Sequence, residues 1–191
     1  MLHDIQTGLL APGAWLKQID LQQRYHCGRP EVRSALDRLA QKRLVAHVPN
    51  RSYHVYRPDG LLEGEVAEIR ILLETGVADR IAGSAPAADI RLLEQLAAEF
   101  VRLLADGVTL ELYEANLAFH HLLSLCGNQE LVALVAEIRK PTSAAPVHQW
   151  TTRARIEQSA REHDEMIEAM RQGDGTRLGA VLVRHIRQQY R

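Results

Sequence analysis

At Arg57-Pro58-Asp59-Gly60 a helix-disfavouring proline and a turn-forming Asp-Gly pair directly follow a short alternating stretch. The chain obeys different rules on either side. Beyond this break the pattern is helical almost to the end, interrupted at Gly83-Ser84-Ala85-Pro86, Asp106-Gly107, Gly127-Asn128, Pro141-Thr142-Ser143 and Gly173-Asp174-Gly175. That punctuation predicts about six helices, a normal complement for an antiparallel bundle. Before the break lie short helices and two short strand-like runs. The chain is therefore expected to be mainly α, with one domain over residues 1–57, a linker over 58–61 and an all-α domain over 62–191.

With 191 residues, 46% of them hydrophobic, there is enough apolar material for two cores. The formal net charge of -1 hides an asymmetry. Residues 1–57 hold nine basic and four acidic side chains, whereas the remainder holds 14 basic and 20 acidic. A basic first domain on an acidic second one points to an anionic partner for the first alone. The apolar runs are too short to span a bilayer, and the N-terminus lacks the basic and apolar regions of an export signal. No membrane partner and a cytoplasmic location are expected. Two cysteines, Cys27 and Cys126, without CxxC spacing fit reduced thiols.

In the first domain a turn at Ala11-Pro12-Gly13 precedes a helix from about Lys17 to Tyr25, with Ile19 and Leu21 expected to face inward. His26-Cys27-Gly28 connects it to a second helix from Pro30 to about Lys42, whose stripe is Val32, Leu36 and Leu39. Val45–Pro49 and Tyr53–Tyr56 form a hairpin around Asn50-Arg51-Ser52. Two helices joined by a short turn and followed by a hairpin outline a winged helix-turn-helix. Arg29 and Arg33 lie four residues apart at the start of the second helix and point away from its apolar stripe. That is where a recognition helix carries side chains that read the major groove, and arginine pairs with guanine through two hydrogen bonds. Arg51 at the hairpin tip is placed for phosphates or the minor groove. Singly, each arginine is an ordinary solvated charge. Together, on a locally basic domain, they favour double-stranded DNA.

In the second domain three histidines fall on inward stripes. Tyr113, Asn116, Leu117 and His120 share a face of a helix over Leu110–Cys126. His163 lies with Ile156, Ala160, Ile167 and Met170, and His185 follows Leu178, Val181 and Leu182. Three imidazoles and an amide oxygen suit one divalent cation, zinc or nickel by their nitrogen-rich chemistry. The plainer alternative is that each is a hydrogen-bonded core residue. Arg70 sits beside Ile69 and Leu73 on a largely apolar helix and needs a partner there, with Glu74 four residues on as the simplest one.

Gly8-Leu9-Leu10-Ala11-Pro12-Gly13, Arg29-Pro30-Glu31-Val32-Arg33-Ser34-Ala35-Leu36, Arg38-Leu39 and Pro49-Asn50-Arg51 resemble the DNA-binding domain of GntR-family bacterial transcriptional regulators. The resemblance covers residues 4–56 and implies DNA contacts by Arg29, Arg33, Asn50 and Arg51. Gly28 stands in place of a serine cap and Ser52 in place of the wing glycine. Asn116-Leu117-Ala118-Phe119-His120, Glu162-His163 and His185-Ile186 resemble the FCD ligand-binding domain of the FadR-type branch, in its shorter, VanR-like variety. That resemblance implies a metal held by Asn116, His120, His163 and His185, and an effector carboxylate bound by Arg70. Asn116 replaces the family's usual aspartate and supplies an oxygen without a charge. Arg139 and Arg153 are weaker candidates for the effector, and His121 lies about 100° round the helix from His120.

The expected function is that of a homodimeric regulator that binds a palindromic operator and responds to a small organic acid. Two competing readings have different consequences. A metal-dependent hydrolase with a DNA-binding appendage would need a general base beside the histidines, and Glu162 and Asp164 are expected to point off the face of His163. A metal-free dimerisation module would need none of this chemistry.

Overall fold

The computed structural model describes residues 1–6, 8–57, 60–106, 109–139 and 152–188. The first unit comprises helix α1 (Leu2–Gln6), strand β1 (Trp15–Leu16), helices α2 (Gln18–Tyr25) and α3 (Arg29–Gln41), and strands β2 (Val45–Val48) and β3 (Ser52–Val55). Together they make a winged helix-turn-helix. The stripe Val32, Leu36 and Leu39 of α3 is buried, packed with Ile5, Leu21 and Val55. Ile19 does not join it. It is 59% exposed, because a helix of only eight residues turns little more than Leu21 inward. Pro30 occupies the first turn of α3, where its missing N–H leaves no bond unmade. A β-carbon at Gly28 would fall 2.6 Å from Glu31 Oε2, so that carboxylate reaches back over the helix N-terminus.

The expected two-stranded ribbon is a three-stranded antiparallel sheet in the order β1-β3-β2. Trp15 pairs with His54 and Leu16 with Tyr53, next to a clamp in which Gly13 N–H donates to Val55 and Val55 N–H donates to Ala14, both at 2.9 Å. The hairpin turns as expected, with Val48 opposite Ser52. Asn50 takes φ +62°, a conformation asparagine tolerates, and Ser52 takes φ +104°. The latter suits the glycine that the family pattern has there. Ser52 Oγ offsets part of that strain by donating to Leu16 O at 3.1 Å.

The second unit is helical: α4 (Gly60–Thr75), α5 (Ala78–Ser84), α6 (Ala87–Asp106), α7 (Thr109–Phe119), a 3-10 turn (His120–Cys126), α8 (Gln129–Arg139), α9 (Arg153–Arg171) and α10 (Gly175–Gln188). Seven α-helices among the described residues exceed the six expected, because Gly76-Val77 also breaks the chain. The single helix expected over Leu110–Cys126 tightens to 3-10 geometry at His120. Positions 58 and 59 of the expected linker, Gly107 and the Pro141-Thr142-Ser143 break lie outside the described residues.

A short turn folds α10 back along α9, while α9 also packs on α6, and α10 lies against α4 and α5. The core is built from Ile81, Phe119, Leu122, Met166, Leu178 and Leu182. Gly175 permits a close approach at the start of α10: a β-carbon there would lie 2.4 Å from Asp79 Cα. That seat fixes the helix carrying His185. No described helix is long and apolar enough to cross a membrane.

Candidate functional site

Each of the three expected histidines comes from a different element, and all three are buried. His120 opens the 3-10 turn, His163 sits mid-way along α9 and His185 in the last turn of α10. One potential ligand atom from each lies within 4.8 Å of the others. His120 Nε2 and His185 Nε2 are 3.0 Å apart. His163 stacks on Phe119, with ring centroids 3.9 Å apart and planes 21° from parallel.

The ring nitrogens divide by partner. His185 Nδ1–H donates to Glu162 Oε2 at 2.8 Å, which turns its Nε2 lone pair towards His120. His120 Nε2–H can donate to that lone pair. His163 has neither nitrogen hydrogen-bonded, and His120 Nδ1 and Asn116 Oδ1 also lack partners. Burying such groups unpaired costs about 1–3 kcal/mol each. Asn116, one turn before His120, is itself buried. The donor chemistry and the orphaned buried atoms both fit a divalent cation.

Charge prepares the same groups. Burial, with the Arg139 charge next, holds His120 well below the usual imidazole range. Burial and the neighbouring His185 do the same for His163. Burial also lowers His185, opposed by its bond to Glu162. All three are neutral near pH 7, as metal ligands must be. Glu162 would be raised by burial, but the hydrogen bond from His185, with that from Gln158 beside it, holds it below the usual carboxylate range.

Glu162 corrects the expectation that it points off the site. It is fully buried and faces α10. Oε1 accepts from Gln158 at 3.1 Å and from Arg184 at 3.3 Å, leaving Oε2 for His185. Asp164, as expected, is on the exposed side of α9. Leu117 is also corrected: it is 40% exposed and lines a cavity beside His120 instead of the core.

That cavity, about 700 Å³, lies among α6, α7 and α8. Leu92, Leu96, Leu117, Leu123, Val132 and Val135 supply most of its wall. Among the described residues the groups carrying polar atoms or charge along it are Tyr113, His120, His121 and Arg139. Arg139, a weaker candidate on sequence, therefore shares the lining of this pocket with His120, on which its charge acts. Arg70 is 1% exposed, and its Nε–H donates to Glu74 Oε1 at 2.7 Å, the simple ion pair that their spacing allows. Arg153 pairs with Glu157 on the surface.

In the winged helix, Arg29, Arg33, Asn50 and Arg51 are all exposed. Arg29 is the first residue of α3 and Arg33 lies one turn on, both clear of the buried stripe, while Asn50 and Arg51 occupy the hairpin turn. Beneath them Tyr53 O–H donates to Asp37 at 2.5 Å, fixing the wing to α3.

Residues 65–188 match the FCD domain family, and residues 1–55 match the bacterial regulatory proteins of the gntR family. No curated protein matches the chain. Among solved structures, a GntR transcriptional regulator from Rhodococcus sp. RHA1 has a TM-score of 0.79 at 22% identity, covering 99% of this chain and 91% of its own. McbR/YncC of E. coli has a TM-score of 0.75 at 18% identity, with 98% and 90% covered. Lar, which controls the Listeria monocytogenes agr system, has a TM-score of 0.68 at 15% identity, with 99% and 90% covered.

Proposed function

The chain belongs to the GntR-type bacterial regulators with an FCD domain, and we propose that a small carboxylate bound beside a divalent metal ion in its helical domain controls its affinity for an operator. It is a DNA-binding transcriptional regulator, not an enzyme. The hydrolase reading is set aside on that ground.

The observation that carries the metal reading is His163, a fully buried imidazole with neither nitrogen hydrogen-bonded, beside two more buried imidazoles. Asn116, His120, His163 and His185 would hold the ion, with zinc or nickel favoured by the three nitrogens. When bound, it supplies a Lewis-acidic centre that attracts a carboxylate oxygen. Glu162 keeps the proton of His185 on Nδ1 and so reserves Nε2 for coordination. Phe119 stacks against His163 and limits its rotation. Arg70, tied to Glu74, bears on His120 and His185 as a fixed buried charge.

For the DNA-binding unit, Arg29 and Arg33 would read guanines in the major groove while Asn50 and Arg51 engage the duplex at the wing. A homodimer would present two such units to a palindrome. The connection between Arg57 and α4 would let the effector favour one arrangement of the two units over another, which is what coupling between the sites requires.

The experiment is thermal unfolding of metal-stripped full-length protein, alone and with Zn²⁺, Ni²⁺ or Mn²⁺, repeated with small carboxylic acids. A ligand that binds only the native state raises the midpoint by mass action. The expected result is a rise with Zn²⁺ or Ni²⁺ and a further rise with at least one acid. No rise with any ion would leave the bundle as a metal-free dimerisation module.

A further inference from the structure

The second helix of the helix-turn-helix, α3, carries an acid in line with its two arginines. Arg29, Arg33 and Asp37 follow one another at i, i+4 and i+8, so their side chains leave the helix within about 80° of one another. All three are exposed, to one side of the buried stripe of Val32, Leu36 and Leu39. Tyr53 O–H donates to Asp37 Oδ1, and the charge of Arg33 acts on the same phenol. The arginine and the carboxylate therefore converge where β3 meets α3.

A carboxylate on this face repels the phosphates of a duplex and so needs a donor to offset that repulsion. The other acid of α3, Glu31, avoids the conflict by reaching back over Gly28 at the helix start. Asp37 is instead pinned in place. Tyr53, only 7% exposed, holds its Oδ1 at 2.5 Å, while its Oδ2 makes no hydrogen bond or ion pair among the described residues. The result is one acceptor in a fixed position, with little side-chain freedom left to lose on binding.

In the major groove the donors that can meet it are the amino groups of cytosine and adenine. Adenine sets the acceptor N7 beside its amino group, where it opposes a carboxylate. Cytosine presents N4–H with no acceptor next to it, and so fits. Arg33 and Asp37 are one turn, about 5.4 Å, apart along α3. Base pairs are spaced by about 3.4 Å, so the two side chains reach neighbouring pairs.

We propose that Asp37 is a specificity-determining residue whose Oδ2 accepts from cytosine N4 in the pair next to the one Arg33 reads, with Tyr53 as the positioning residue that holds it. This rests on the base reading by Arg33 proposed above and deepens it by adding a second base and its reader.

The test selects bound molecules from a library of duplexes with a randomised core, using full-length protein. Asp37→Asn keeps an oxygen for Tyr53 but puts an NH2 group, a donor, in place of Oδ2. The selected sequences should share guanine positions that Arg33→Ala relaxes and an adjoining cytosine that Asp37→Asn relaxes. On the selected duplex, 2-pyrimidinone in place of that cytosine pairs with guanine but lacks the 4-amino group. It should weaken binding about fivefold or more, and Asp37→Asn should abolish the difference. Affinity of Asp37→Asn for unselected duplex should hold or rise, since a charge that repels phosphates is gone. Tyr53→Phe should shrink the cytosine preference without removing it. Circular dichroism confirms that each variant is folded.

The 2-pyrimidinone duplex probes the contact on the unsubstituted protein, whatever a substitution does to folding. Equal binding of the two duplexes would overturn the proposal. So would an equal loss by Asp37→Asn on selected and unselected duplexes, which would leave Asp37 as a fastener of the wing. If the guanine positions survive Arg33→Ala while the cytosine is lost in Asp37→Asn, the reading of Arg33 fails and that of Asp37 stands.

Discussion

Glu162 and His185 meet across the packed faces of α9 and α10, with the carboxylate Oε2 2.8 Å from the imidazole Nδ1. The contact determines which nitrogen of His185 is left for coordination. A carboxylate placed behind a coordinating imidazole orients the ring and raises its basicity, and removing one typically weakens metal binding about 10–100-fold. Glu162→Gln keeps the shape and an oxygen that can accept the bond but loses the charge. Zinc affinity, measured by competition with a chromogenic chelator, should fall about tenfold while the circular dichroism spectrum is unchanged. An unchanged affinity would mean that Glu162 holds α9 to α10 and nothing more.

Asn116 allows a prediction with opposite signs in two states. Asn116→Asp places a carboxylate at a position that is 3% exposed and where the amide oxygen has no partner. Without metal, the variant should be destabilised by about 1–3 kcal/mol, because an unpaired buried acid is poorly solvated. With zinc, the added negative charge should strengthen binding and reverse the order of the midpoints. Thermal unfolding of both proteins with and without saturating zinc reads both signs. The same order in both states would place Asn116 outside the coordination sphere.

Much of this arrangement was legible in the sequence because proline, glycine and apolar stripes are local signals. Val32, Leu36 and Leu39 marked α3, and Leu178, Val181 and Leu182 marked the inward face on which His185 lies. β1 was not legible, since two residues have no period; it exists only because β3 offers it an edge. The 3-10 turn at His120 was hidden for a similar reason, as apolar spacing does not distinguish tightened turns from α-helix over one or two turns. Glu162 does carry a signal in the sequence. Ser159, Glu162, Met166 and Ala169 form a second buried stripe on α9, beside the one through His163, because α6 and α10 cover adjoining faces. A helix with one wet side and one dry side would leave this second stripe in solvent, but α9 is covered on both.

At the DNA-binding surface, Arg33 and Arg51 should fail in different ways. Arg33 lies on the exposed side of α3, so Arg33→Ala should reduce discrimination between operator and random duplex by about 1–3 kcal/mol. Arg51 in the hairpin turn is placed for backbone contact. Arg51→Ala should weaken binding to all sequences alike and lower the salt slope by about one. Mobility-shift titrations at several salt concentrations separate the two. Equal losses on operator and random DNA for Arg33→Ala would remove it from base reading.

The N-terminal helix gives a pH prediction. Tyr25 O–H donates to Asp4 Oδ2 at 2.8 Å, and Arg24 pairs with the same oxygen at 2.7 Å. The bond from Tyr25 holds Asp4 below the usual carboxylate range, and burial, aided by Asp4, pushes Tyr25 up to about 12. Asp4 has a depressed folded value. Its contribution is complete above the unfolded value of about 3.9 and is lost as pH falls through the folded one. Tyr25 has a raised folded value, so its contribution is complete below about 10 and is lost as pH rises towards 12. Tyr25→Phe should therefore cost about 1 kcal/mol at neutral pH. In urea unfolding the gap to the unsubstituted protein should be level between those limits, narrow in acid as Asp4 is protonated and narrow again in alkali. Arg24 still pairs with Asp4 in the variant, so part of its acid dependence should persist. A gap as wide at pH 3 as at pH 7 would show that the hydroxyl contributes through packing and not through its bond to Asp4.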